Sequence, residues 1–159
     1  MEKKYSREIP NKVERMGGKF VLNYHLQETT KEEILSLWES EHYGMEDDYG
    51  QPDDYFKEEH KYNFNQVIVP MGKWKYDEVV SAIIRDKYRE DEMEAITNNL
   101  AAVNAMFFQT LVSEGIVGAI QYLRDSYKSE DTESFKEMQE WRALAKKEAR
   151  EILKFKLSL

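Results

Sequence analysis

Glu39, Ser40, Glu41 and His42 put a carboxylate and an imidazole at i and i+3. That is the E-x-x-H spacing of helical di-iron sites, which need a second such pair and two more inward glutamates. No other E-x-x-H occurs, and Lys57, Glu58, Glu59 and His60 miss the spacing by one residue. Glu39 and His42 are therefore metal candidates set against the plainer reading of a solvated helix end. Asp47, Asp48, Asp53 and Asp54 do not follow the alternating D-x-D-x-D-G pattern that ends in a glutamate at a calcium loop's twelfth position. They leave room only for an adventitious cation. The chain has no cysteine, so thiolate metal sites, disulfides and thiol nucleophiles are excluded. There is no G-x-S-x-G, and His25, His42 and His60 lack a partner motif. Gly17 and Gly18 precede an expected strand rather than a helix, so no helix dipole awaits a phosphate there. No catalytic or cofactor-binding residue is assigned and no cofactor is implied. A metal- or carboxylate-dependent enzyme is kept as an alternative, because 31 acids leave a carboxylate pair open without pointing to one.

A second set of residues points to recognition rather than reaction. Trp38, Tyr43, Tyr49, Tyr55, Phe56, Tyr62 and Phe64 are interleaved with acids. They either pack a sheet and anchor a loop, or form a protein-binding surface, since aromatic residues dominate interface hot spots. Tyr49, Tyr55 and Phe56 are the interaction candidates in this stretch. Residues 28–59 carry twelve acids against Lys31 and Lys57, a local charge of −10. The whole chain is at −8, so the remainder is at +2. This balance disfavours direct nucleic-acid binding. It leaves an acidic nucleic-acid mimic as an alternative function.

The elements that hold these residues follow from periodicity. Residues 1–18 alternate charged and polar groups up to the glycine pair and are expected as a mobile arm. Phe20, Leu22, Tyr24 and Leu26 share one face at period two, which predicts a strand over 19–26. Thr30 and Glu33 form a capping box that opens a helix over about 31–41. Residues 42–60, rich in glycine, proline and aspartate, are expected as a loop. A second strand over 62–69 ends at Pro70, and the two strands are expected to pair antiparallel. Tyr76, Val79, Val80, Ile83 and Ile84 form the apolar stripe of a helix. Arg89 and Glu90 then break the chain before a second helix, with Asp91 as its expected cap and Glu94 three residues on.

Residues 100–123 are unusually apolar, interrupted by Ser113, Glu114 and Gly115. They predict two helices or one broken helix with three possible covers: the chain's own core, a subunit interface, or a membrane. Phe107, Phe108, Leu111 and Ile116 are the interaction candidates here. No run of about 20 apolar residues is seen, and Asn104, Gln109 and Glu114 count against a bilayer, so no membrane partner is expected. The last helix, over about 132–155, carries Phe135, Met138, Trp141, Ala145, Ala149 and Ile152 at helical spacing. Its acids crowd the start and its bases the end, in keeping with the helix dipole.

The expected fold is α+β and mostly helical, a small antiparallel β element packed with four or five helices. It is expected as one domain over 19–159 after the arm, with possible insertions at 40–60 and 100–125. The N-terminus lacks the apolar core of a signal peptide.

The order Val67, Ile68, Val69, Pro70, then Gly72, Lys73, Trp74, Tyr76 and Asp77, and the run from Val79 to Tyr88, resemble a group of small phage and prophage proteins of gut bacteria encoded near tail genes. The acidic turn Glu92, Met93, Glu94, Ala95, Ile96, Asn98 and Asn99, and the closing helix from Phe135 to Trp141 and Ala145 to Ala149, belong to the same likeness. It covers 65–99 and 135–153, and 19–26 more loosely, about half the chain. The acidic 40–60 and the apolar 100–125 look like additions to that pattern. The resemblance implies a phage-associated structural or accessory protein without catalysis, acting through protein contacts. Its expected partner is another protein or a copy of itself as a homo-oligomer. Its expected place is the bacterial cytoplasm or the virion.

Overall fold

The computed structural model describes residues 3–43, 50–126 and 129–156. The chain is α+β and mostly helical, with a four-stranded antiparallel sheet and five α-helices among the described residues. It divides into two compact units. The first takes residues 1–79 and 150–159, the second residues 80–149.

The first unit is built on the sheet. Strands β1 (Lys3–Ser6), β2 (Val13–Met16), β3 (Lys19–Glu28) and β4 (Tyr62–Pro70) lie in the order β1-β4-β3-β2. The expected central pair is present: Phe20 faces Val69, Leu22 faces Val67 and Tyr24 faces Asn65. These six alternate onto one face, where Leu22 is 0% and Tyr24 1% exposed. The register slips between Tyr24 and Gln27, and His25 sits in this bulge at φ 52. A bulge bends the strand, which turns His25 out of the ladder.

The expected arm over 1–18 is instead two strands, each four residues long, at the edges of the sheet. Their sequences, KKYS and VERM, show no apolar alternation, because an edge strand pairs with one neighbour only. Short, charged edges also resist pairing with a foreign strand. Lys12, just before β2, is paired with Glu151.

Helices α1 (Lys31–Glu41) and α2 (Asp54–Glu59) belong to the same unit. Thr30 caps α1 by accepting from the Glu33 N–H at 3.2 Å. The α2 helix falls inside the expected loop 42–60. Asp53 caps it, accepting from the Phe56 N–H at 2.7 Å. One capped turn and a half is too short to show a period, yet it satisfies orphan N–H groups at the helix start.

Helix α3 (Tyr76–Lys87) follows a short 3-10 turn at Met71–Lys73. The break after it falls one residue earlier than expected, with Tyr88 and Arg89 outside any helix and Glu90 already helical. The cap is two residues earlier than Asp91: α4 (Glu90–Ser126) begins at Glu90, and the Glu92 carboxylate accepts from the Arg89 N–H at 2.8 Å.

In the second unit, Trp141 of α5 (Glu130–Lys156) is buried and donates its indole N–H to the Ile83 carbonyl at 3.2 Å. Met138, Trp141, Ala145 and Ala149 are buried in line along α5, on the stripe the spacing predicts.

Candidate interaction surface

Gly115 breaks α4 at φ 74 and ψ −171, a backbone region that is essentially glycine's alone. Asn99, before the break, donates to Asp131, in the first turn of α5, at 2.9 Å. An unbroken helix from Asn99 to Ser126 would carry those ends about 40 Å apart at 1.5 Å per residue. The chain therefore reverses at Gly115, and α4 is a helical hairpin with legs 90–114 and 116–126. Gly118 sits where the legs meet. A Cβ there would lie 2.6 Å from the Glu114 Cβ, so only glycine lets Glu114 fold over the start of the returning leg.

The inward stripe of the first leg is Met93, Ile96, Leu100, Val103, Phe107 and Thr110. These recur at intervals of three and four, the a and d positions of a heptad seam. Each is only half-buried, because two helices cannot enclose a seam between them. On the returning leg, Ala119 is 0% exposed.

The outward surface is the unusual part. Phe108, Leu111 and Val112 form one exposed strip, with Val112 at 89% exposure. Ile116, Val117, Ile120 and Leu123 form another, and Met106 adds to the first leg. These eight side chains leave on the order of 800 Å² of apolar surface uncovered. Between Glu94 and Arg124 the only charged residue is Glu114. The Thr110 and Ser113 hydroxyls donate to the carbonyls of Met106 and Gln109 at 2.9 and 3.0 Å, so they do not compete with the apolar surface.

The interaction candidates thus fall into three groups. Phe108, Leu111 and Ile116 are exposed on the hairpin, and Phe107 lies half-buried on its seam, its ring 5.4 Å from that of Phe108. Tyr55 is 69% exposed at the start of α2. Phe56 is instead a core residue, 8% exposed, packed edge-on to Trp38 at 4.9 Å. Helical spacing in a six-residue helix turns Phe56 inward and Tyr55 outward. Tyr49 lies outside the described residues.

The metal candidates do other work. His42 ends α1, its Nδ1 donating to the Trp38 carbonyl at 2.8 Å and its ring 3.9 Å from the indole. His60 ends α2 in the same way, with Nδ1 2.9 Å from the Phe56 carbonyl and its ring stacked on Phe56 at 4.2 Å. Each imidazole adds a second donor to a carbonyl that already accepts the same histidine's backbone N–H at 3.2 Å. Glu39 is exposed. Among the described residues no group of three or more histidine, aspartate or glutamate side chains is placed to hold a metal ion.

Several carboxylates of the acidic stretch are engaged inside the first unit. Glu33 accepts from Lys3 at 2.7 Å, the Tyr5 hydroxyl at 3.0 Å and buried Asn63 at 3.1 Å. This is where the expected capping box differs: Glu33 reaches to β1 and β4 instead of back to Thr30. Burial first, then the hydrogen bond and the charge of Glu33, push the Tyr5 hydroxyl up to about 12. Asp54 pairs with Lys57, and Glu58 with Arg7.

No protein-family model, curated protein or solved structure matches this chain.

Proposed function

We propose that this is a non-catalytic structural or accessory protein that works through protein contacts, with the apolar hairpin of residues 90–126 as its working surface. The observation that carries the reading is an apolar face on two helical legs, with one charged residue between Glu94 and Arg124. Such a face is covered by something in solution, because leaving it in water forfeits the hydrophobic term that drives association.

By length and composition α4 is also apolar enough to cross a membrane, contrary to the expectation that no run is long enough. The break at Gly115 argues against that use. The returning leg, 116–126, is roughly 16 Å long, about half of a ~30 Å hydrocarbon core. A hairpin whose tip reached the far side of the bilayer would strand Arg124 and Asp125 near its centre, where charge is costly. Asn104 and Gln109, exposed on the first leg, point the same way.

The likeness to phage and prophage proteins encoded near tail genes makes a phage particle or its assembly the setting of those contacts. Mass spectrometry of purified particles from an induced lysogen carrying the gene tests this. Recovery at a stoichiometry of whole copies per particle is expected. Absence from particles, together with no stable complex during assembly, would contradict it.

A further inference from the structure

We infer that the exposed strips of the hairpin are covered by the same strips of a second copy of this chain, packed against each other across a two-fold axis. The inference rests on the protein-contact reading above and names the partner. The uncovered apolar area, on the order of 800 Å², matches what each partner gives to an interface of standard size. An occupant must itself be apolar and nearly free of charge over that area. The surface known to meet this is the same face, and a two-fold axis matches the patch to itself by construction. Charge does not oppose the pairing: the chain is at −8, yet a local −10 lies in residues 28–59, and the face brings only Glu114.

The cysteine-free chain makes the test clean. Val112→Cys, on the exposed strip, is treated with a short bismaleimide beside Ile9→Cys, an exposed residue of the first unit. Neutral phosphatidylcholine vesicles are floated with the unmodified chain in parallel. The inference expects a covalent dimer from Val112→Cys at several times the yield of Ile9→Cys. It expects the yield to collapse when Ile116→Asp is added, with helical circular dichroism retained, and no protein on the vesicles. Equal, low yields from both cysteine variants with no flotation would overturn the second copy while leaving a different protein partner open. Flotation of the unmodified chain would overturn both the second copy and the protein-contact reading.

Discussion

The sheet and the hairpin use apolar residues in opposite ways. On β3 and β4, Leu22, Tyr24, Val67 and Val69 are almost wholly removed from water. On α4, Phe108, Val112, Ile116 and Val117 are at least 62% exposed. The first arrangement stabilises a protomer. The second gives little to a lone protomer and is suited to association. The contrast separates the residues that make the fold from those that make the contact, and substitutions in the two regions should fail differently.

The largest effect belongs to the sheet. Leu22→Ala opens a cavity at a fully buried position and is expected to lose about 2–5 kcal/mol in denaturant melts. Val112→Ala, measured dilute enough to dissociate any complex, is expected to change stability by less than about 0.5 kcal/mol. Similar losses at both positions would erase the contrast. Next comes Gly115→Ala, which forces a Cβ into a backbone region reserved for glycine and is expected to cost about 1–3 kcal/mol. The same assay checks it, and a neutral result would mean the reversal lies elsewhere. Asp53→Ala removes the α2 cap and is expected to cost about 1 kcal/mol, with faster hydrogen exchange confined to residues 54–60.

The smallest effect is a titration. Tyr5 ionises at about 12 in the folded chain against 10.0 for the free side chain. A raised folded value means this contribution to stability is complete below pH 10 and disappears as pH climbs through about 12. Tyrosinate absorbance should therefore carry a late step at about pH 12 that Tyr5→Phe removes. No late step would mean the hydroxyl is not held against Glu33.

Much of this was legible in the sequence, and the rest was not for identifiable reasons. α5 declared itself because one buried stripe keeps its period along the helix, and the central strand pair because β3 and β4 are dense in β-branched and aromatic residues at period two up to the bulge at His25. Strands β1 and β2 did not, since four-residue edges take their pairing from β4 and β3 and not from their own pattern. Helix α2 was hidden because six residues cannot show a period; the Asp53 cap, with Phe56 three residues on, was the available signal. The roles of His42 and His60 were missed because a helix C-terminal contact depends on where the helix stops, and E-x-x-H spacing says nothing of that. For the hairpin, composition gave the break at Gly115 and the candidates Phe108, Leu111 and Ile116. It could not say what covers them, because burial is a property of the assembled surface.

The central claim is that a second copy of the chain covers the hairpin face. Light scattering of the unmodified chain during size exclusion, repeated down a dilution series, tests it most directly. The account predicts a mass of twice 18.9 kDa that falls toward 18.9 kDa on dilution, and falls sooner for Val112→Asp. A constant 18.9 kDa up to about 0.1 mM, where an interface of this area is normally occupied, would contradict it.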